Sequence, residues 1–407
     1  MKPIILNGKY GEAHIYAKTV DDGLIEQCLN VLNNEVTTGS KIRIMPDTHV
    51  GKGCMIGTTM TINDRVCPNL VGVDIGCGML TVELGTNEID LDRFDEVVSN
   101  RVPMGFAVHE DGHLKREGFD LLIGRLRAKG IDRARAAASI GTLGGGNHFI
   151  EIDKDEETGE QYLVIHTGSR YLGKQVAEFW QRVAEKKMLE DDLIDIQSLV
   201  KAYKALGWHS KISSVISDAK KANADLVSRK GDKELATLKG QDMIGYMNDM
   251  GIAVKYARLN RLAIADAIVS NYYGSSVSNF NSFDTIHNYI DIGAMVLRKG
   301  AISAENGEKA LIPLNMRDGS LIVVGKGNED WNQSAPHGAG RIMSRSQARA
   351  SIDLKDFEES MRGVYSASVC EGTIDESPFA YKNHMEIIDA VRDTVDIIKH
   401  IKPIYNR

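Results

Sequence analysis

Cysteine, tryptophan and basic excess are all scarce in this chain, and each scarcity excludes something. Only five of 407 residues are cysteine (Cys28, Cys54, Cys67, Cys77, Cys370), widely spaced and without a CxxC pair. That pattern excludes a disulfide scaffold and points to a reducing compartment, with most thiols serving as small apolar fillers. Aromatics make up 6% of the chain, which argues against a module that binds RNA by stacking bases. Lysine and arginine number 49 against 56 carboxylates, a formal charge of -7. A protein that coats nucleic acid over its whole surface is thereby excluded. A local basic groove is not, because steering depends on where charges sit. No apolar run is long enough to cross a bilayer, and residues 1–18 lack the apolar core of a signal peptide. The expectation is a cytoplasmic protein with no membrane partner. The GxxxxGK[ST] pattern is missing too, and Gly325-Lys326-Gly327 is too short to stand for a phosphate-binding loop.

What is present is a chain with 43% hydrophobic residues, enough for a substantial core. Short apolar runs punctuated by Gly, Pro and Asp predict strands at Ile5–Tyr16, Ile42–Met45, Met60–Ile62, Leu70–Val73, Leu80–Val82, Tyr162–Ile165, Ile290–Leu297 and Ser320–Val324. Helical spacing predicts helices at Leu91–Val98, Phe119–Arg127 and Gln241–Ser270, the last as one helix or two, and at Glu386–Ile401, stopped by Pro403. Between 174 and 240 glycine thins out and Lys, Ala, Glu and Ser take over. The class expected is α+β: one large mixed domain over residues 1–407, with a β-sheet core and a helical excursion at 174–240.

Four runs carry chemistry. Asp74 and Cys77 lie three apart in a glycine-flanked turn; there Cys77 is either a buried structural thiol or, with Asp74, a metal ligand. His148 follows Gly144-Gly145-Gly146-Asn147, and His166 opens a turn holding Ser169 and Arg170. With His287 they can complete two metal sites bridged by Cys77, and paired metals clamp both oxygens of a phosphoryl transfer. His14, His109, His113, His209, His384 and His400 have no such setting and read as ordinary surface or core histidines. His337 sits among small residues, Pro336-His337-Gly338-Ala339-Gly340, where a triphosphate can approach; it is either a nucleophile toward phosphorus or a further metal ligand. Arg341, Arg345 and Arg349 recur every four residues, as a solvated face or as a stripe for an RNA backbone. Asp47-Thr48-His49 is either a metal-binding pair or a carboxylate that orients a catalytic histidine.

Taken together, PDTHVGKG (46–53), VGVDIGCGM (71–79), GGGNHFIE (144–151), HTGSR (166–170), His287-Asn288, RKGA (298–301) and PHGAGR (336–341) resemble the RtcB family of RNA-splicing ligases over nearly the whole chain. The resemblance implies joining of a 2′,3′-cyclic phosphate or 3′-phosphate RNA end to a 5′-hydroxyl end, with GTP and two Mn²⁺ ions, in RNA repair or tRNA splicing. It implies that His337 attacks the α-phosphorus of GTP and becomes guanylylated, that GMP passes to the RNA 3′-phosphate, and that Asp47 orients His337. It implies Asp74, Cys77 and His148 as ligands of one Mn²⁺ and Cys77, His166 and His287 as ligands of the other. The guanylate (GTP/GMP) pocket it implies comprises Asn147, His148, Phe149, Ile150, Glu151, His287, Asn288, Pro313, Leu314, Asn315, Met316, Ser320, His337, Gly338, Ala339 and Gly340. Arg407 stands where many members end in a base-contacting lysine, and an activating accessory protein is a further expectation. Departures occur at Pro313-Leu314-Asn315-Met316-Arg317, Lys255-Tyr256-Ala257 and the terminus. A thiolate–imidazole site suits Zn²⁺ at least as well as Mn²⁺. The rival reading is a binuclear metallophosphoesterase, against which the Gly-Asp-x-x-Asp-Arg element is missing.

Overall fold

The computed structural model describes residues 2–110, 117–190, 193–229 and 233–407, and its strands form two main sheets. The first runs in the order Ile4–Asn7, Glu12–Ile15, Ile42–His49, Ile56–Thr61, Val296–Lys299, Asn288–Asp291. All its pairs are antiparallel except Glu12–Ile15 with Ile42–His49. The second runs Ser282–Ile286, Gly78–Gly85, Gln161–Thr167, Phe149–Asp155, Val395–Asn406, Gly319–Gly325, Lys309–Asn315. The edge strands Ser282–Ile286 and Asn288–Asp291 belong to different sheets and are consecutive in the chain. A single residue, His287, joins them. With the helices packed around both sheets, the α+β class is correct.

One unbroken helix, Gly240–Tyr273, packs against the second sheet and ends at Gly274, whose φ of +68° gives the left-handed cap that glycine adopts without a steric penalty. Its Ile264, Ile268 and Val269 join Phe94 and Val98 of the helix Leu91–Arg101 over one sheet face, made by Leu80, Val82, Ile150, Ile152, Leu163 and Ile165. Strand alternation sends the intervening residues to the opposite face, where Met79, Tyr162, Val164, Leu311, Ile322 and Ile401 cluster. Burying a side chain the size of these stabilises by about 1.5–3 kcal/mol each. These apolar layers therefore hold the platform on which the site is built. Between 170 and 235 the chain forms the helices Arg170–Glu190, Ile196–Ala205 and Ile212–Arg229.

Several elements differ from expectation. Leu70–Val73 is not a strand: Pro68 occupies the first helical turn of Pro68–Val71, where its missing N–H is not needed. Ile5–Tyr16 is a hairpin of two strands, with Gly8 N–H donating to the Gly11 carbonyl at its turn. Ile290–Leu297 likewise splits into two paired strands. The expected C-terminal helix 386–401 stops at Val391, and Val395–Asn406 is a strand. Its β-branched residues satisfy the period of two, and Pro403 lies at a register shift, where an N–H can be spared.

Candidate active site

The site lies where the two sheets meet. Asp74–Cys77 turns into the strand Gly78–Gly85, with Gly76 N–H donating to the Asn288 carbonyl at 2.7 Å. Gly76 has φ +72°, and a Cβ there would stand 2.9 Å from the Val254 backbone of the long helix, so glycine is required. His166 lies opposite both Met79 and Phe149 in the sheet register, and His148 immediately precedes the strand Phe149–Asp155. His287 donates its backbone N–H to the Cys77 carbonyl at 2.9 Å.

Hydrogen bonding sets the tautomers of two rings. His148 Nδ1 lies 2.9 Å from the Leu143 carbonyl and His166 Nδ1 2.8 Å from that of Asn147. A carbonyl only accepts, so each Nδ1 carries the proton and each Nε2 offers a lone pair. Those lone pairs face Cys77 Sγ, at 3.6 Å from His148 and 3.3 Å from His166. Asp74 Oδ2 is 3.2 Å from His148 Nε2, and His287 Nε2 is 3.5 Å from His166 Nε2. Two ligand groups result, Asp74–Cys77–His148 and Cys77–His166–His287, each with its donor atoms within 4.8 Å of one another. Converging acceptors around a thiol fit a pair of divalent cations sharing the sulfur.

The local charge state agrees. Burial tends to raise the Asp74 carboxyl, but without an ion a protonated His148, through its hydrogen bond and charge, and the Cys77 thiol hold it down to about 2; a bound cation would take the place of that Nε2 proton and leave the lone pair to the metal. Burial, reinforced by Asp74, pushes the Cys77 thiol well above its ordinary range. Burial also lowers His166 to about 3 and His287 well below the usual imidazole value. Neutral imidazoles are what a metal takes, and a bound cation would convert the thiol to a thiolate.

Across the cavity, the short strand Ser334–Pro336 delivers His337. Its Nδ1 is 2.7 Å from Asp47 Oδ2, and its backbone N–H donates to the same oxygen at 3.2 Å. Asp47 is fully buried. The proton between carboxylate and Nδ1 leaves Nε2 as the free lone pair. The rings of His337 and His287 are 4.9 Å apart, so the candidate nucleophile borders the candidate metal centre. Asp47 and His49 belong to neither ligand group; Asp47 is turned to His337.

A cavity of about 450 Å³ connects these parts, within the range of small-molecule sites. Asn147, His148, Phe149, Glu151, His287, Asn288, the run Pro313, Leu314, Asn315, Met316, the run His337, Gly338, Ala339, Gly340, and Arg407 all line it. Two expected pocket residues do not. Ile150 faces the helix side of the sheet by strand alternation, and its contribution is to pair its backbone with that of Arg407. Ser320 is fully buried, outside the lining. Arg407, at the cavity's edge, has its Nη1 engaged by Asp95 and Ser99, at 2.6 and 2.5 Å. The arginine stripe is not free either: Arg341 pairs with Glu376, and Arg345 and Arg349 pair with Asp375. Of the isolated histidines, His14 takes Glu12, and His109 and His400 take carbonyls; His113 lies outside the described residues.

Two residues that hold the site together carry no motif. Asn260 and Arg261, fully buried on the long helix, tie its loops to one another. Asn260 accepts from Gly141 N–H and donates to the Thr142 and Gly168 carbonyls. Arg261 donates to the carbonyls of Gly76 and Thr167, both at 2.8 Å, and pairs bidentately with Asp284. The signal was an Asn-Arg pair set between Leu259 and the run Leu262-Ala263-Ile264-Ala265, since a buried guanidinium persists only when fully paired.

Comparison with known proteins shows one family. The family model described as tRNA-splicing ligase RtcB matches residues 27–128 and 123–407. The RNA-splicing ligase RtcB of Escherichia coli K12 is 28% identical over 400 aligned residues, covering 89% of this chain and 88% of the relative. The tRNA-splicing ligase RtcB of Aeropyrum pernix is 25% identical over 462, covering 92% and 88%. RNA-splicing ligase RtcB of Mycobacterium tuberculosis is 28% identical, covering 85% and 91%.

Proposed function

The chain belongs to the RtcB family, and from that premise we propose that it is a GTP-dependent RNA ligase. It joins RNA ends bearing a 2′,3′-cyclic phosphate or 3′-phosphate to 5′-hydroxyl ends, in RNA repair or tRNA splicing. The observation that carries the reading is His337, held by buried Asp47 through Nδ1 and bordering the sulfur-sharing ligand groups.

In the proposed sequence, His337 Nε2 attacks the α-phosphorus of GTP. The N–P bond forms, the bond to the β-phosphate oxygen breaks, and pyrophosphate leaves. Asp47 keeps the Nδ1 proton in place and offsets the positive charge that develops on the ring. An oxygen of the RNA 3′-phosphate then takes the GMP from His337, restoring the imidazole. The 5′-hydroxyl finally gives up its proton to solvent as its oxygen bonds to the 3′-phosphorus; the bond from that phosphorus to the bridging oxygen breaks, and GMP departs with its electron pair. A cyclic phosphate is first opened by water. Capping is needed because an unmodified phosphomonoester has no good leaving group. Asp74, Cys77, His148, His166 and His287 would hold two divalent ions, Mn²⁺ by family likeness, which neutralise the charge building on phosphate oxygens.

The test is a joining assay with a cyclic-phosphate oligonucleotide, a 5′-hydroxyl oligonucleotide, GTP and Mn²⁺. Joined product from the wild type and none from His337→Ala is expected. Phosphate release without joining, unaffected by His337→Ala, would favour a metallophosphoesterase instead.

A further inference from the structure

Three orphaned polar side chains lie on the sheet face behind the cavity wall. Asp153 is fully buried, and among the described residues neither of its carboxyl oxygens accepts a well-formed hydrogen bond; Ser320 Oγ and Thr81 Oγ1 are likewise buried without a partner there. Asp153 follows Glu151 by two residues on the strand Phe149–Asp155, so both side chains leave the same face. Glu151 is 2% exposed, reaches the cavity and accepts a single hydrogen bond, from Asn406 Nδ2 at 2.9 Å. The two carboxyl groups lie within hydrogen-bonding reach of each other, with the Ser320 hydroxyl beside Asp153. Two carboxylates cannot bond without a hydrogen between them, and two buried negative charges repel.

We propose that Asp153 is a positioning residue: it holds a proton, donates it to Glu151, and thereby presents Glu151's remaining carboxylate charge to the N–H edge of a guanine base. This rests on the guanylate reading of the cavity. Guanine offers N1–H and an amino group, both donors, where adenine offers a ring nitrogen acceptor; an ionised Glu151 therefore selects guanine. A buried acceptor left facing another acceptor discriminates strongly.

Burial pushes Glu151 up to about 7, and pushes Asp153 well above the carboxylate range, with Glu151's charge adding to it. The surrounding charged and titratable groups are otherwise engaged. Tyr162, opposite Asp153, gives its hydroxyl to Glu160 beside Lys399. Pro403 and Asn406 face the pair from the other neighbouring strand. The guanidinium of Arg407 is on Asp95, and Arg341 and Arg345 are on Glu376 and Asp375. His148 and His166 spend their Nδ1 protons on carbonyls.

The test is calorimetric binding of GMP and AMP, with Mn²⁺ present, across pH for the wild type, Asp153→Asn and Asp153→Leu. Asparagine keeps an N–H donor for Glu151 and stays within a few-fold of wild type, with the acid-side loss of GMP affinity still centred near pH 7. Leucine removes the donor: GMP affinity falls about tenfold or more, preference over AMP narrows, and the acid-side loss moves to higher pH. A merely space-filling role would lower affinity without moving that midpoint. The proposal is overturned if leucine leaves affinity and midpoint unchanged, or if asparagine loses as much as leucine. Should leucine not fold, a loss in Asp153→Asn equal to that of Glu151→Gln overturns it alone. A wild type that binds no GMP overturns the ligase reading as well, whereas variants matching a GMP-binding wild type overturn this proposal only.

Discussion

The two walls of the cavity solve the problem of buried polarity differently. On the histidine wall, His148 and His166 each spend one ring nitrogen on a backbone carbonyl, and the other nitrogen is aimed at Cys77. On the carboxylate wall, acids from one face of one strand have diverging fates. Asp155, at the outer end, accepts from the Thr158 hydroxyl and Glu157 N–H and pairs with Lys399 at 3.0 Å. Those bonds, the Thr158 hydroxyl first, hold it down to about 2. Asp153 and Glu151, two and four residues away, are driven the other way by burial. Identical chemistry at a spacing of two yields an ion pair at one end and, at the other, a buried pair proposed to share a proton. The histidine wall offers donor groups that could hold cations; the carboxylate wall, on the proposed reading, takes up a proton and faces a base.

The largest expected effect comes from breaking the shared ligand. Cys77→Ala should abolish the binding of both ions and slow joining by roughly 10³-fold or more; metal analysis beside a joining assay checks it. Retention of two tightly bound ions would mean the sulfur is not shared. Next, Asp47→Ala should slow guanylylation by about 10²–10⁴-fold while leaving GMP affinity near wild type; full-rate guanylylation would remove Asp47 from the mechanism. Glu151→Gln should weaken GMP by about tenfold and flatten the fall in affinity below pH 7, as read by calorimetry. An unaltered pH profile would assign that fall to another group.

The smallest effect sits at the outer end of the strand. The folded Asp155 has a lower pKa than the unfolded side chain, so its stabilisation is present above the ordinary carboxylate range and is lost as pH falls toward about 2. Asp155→Asn should lower Tm by about a degree or two at neutral pH, and by less as the solution is acidified, in calorimetric scans. For Glu151 and Asp153 the sign reverses. Their raised values make the folded state bind protons more tightly, so Glu151→Gln should gain stability relative to wild type as pH rises through about 7.

Much of the histidine wall was legible because each ligand lies in a glycine-rich or strand-end run, where side chains can converge without obstruction. Asp74, Cys77, His148, His166, His287 and His337 were all singled out, and the structure brings them to one cavity. Asn260 and Arg261 were missed: a polar pair beside apolar residues marks them as buried, but their partners lie on distant loops and strands that no local spacing encodes. Asp153 escaped notice for a related reason: an acid on a strand reads as a solvent-facing residue until the sheet beyond it is known. In the fold, two prolines account for departures: Pro68 was passed over and Pro403 was misread. One began a helix inside an apolar run, and the other sat at a register shift in a strand rather than past the end of a helix.

The most direct measurement follows the label from GTP carrying radioactive α-phosphorus, incubated with the protein and Mn²⁺. An acid-labile label should remain on the wild-type chain and be absent from His337→Ala. A label of equal strength on His337→Ala, or a wild type that joins RNA without ever becoming labelled, would contradict the account.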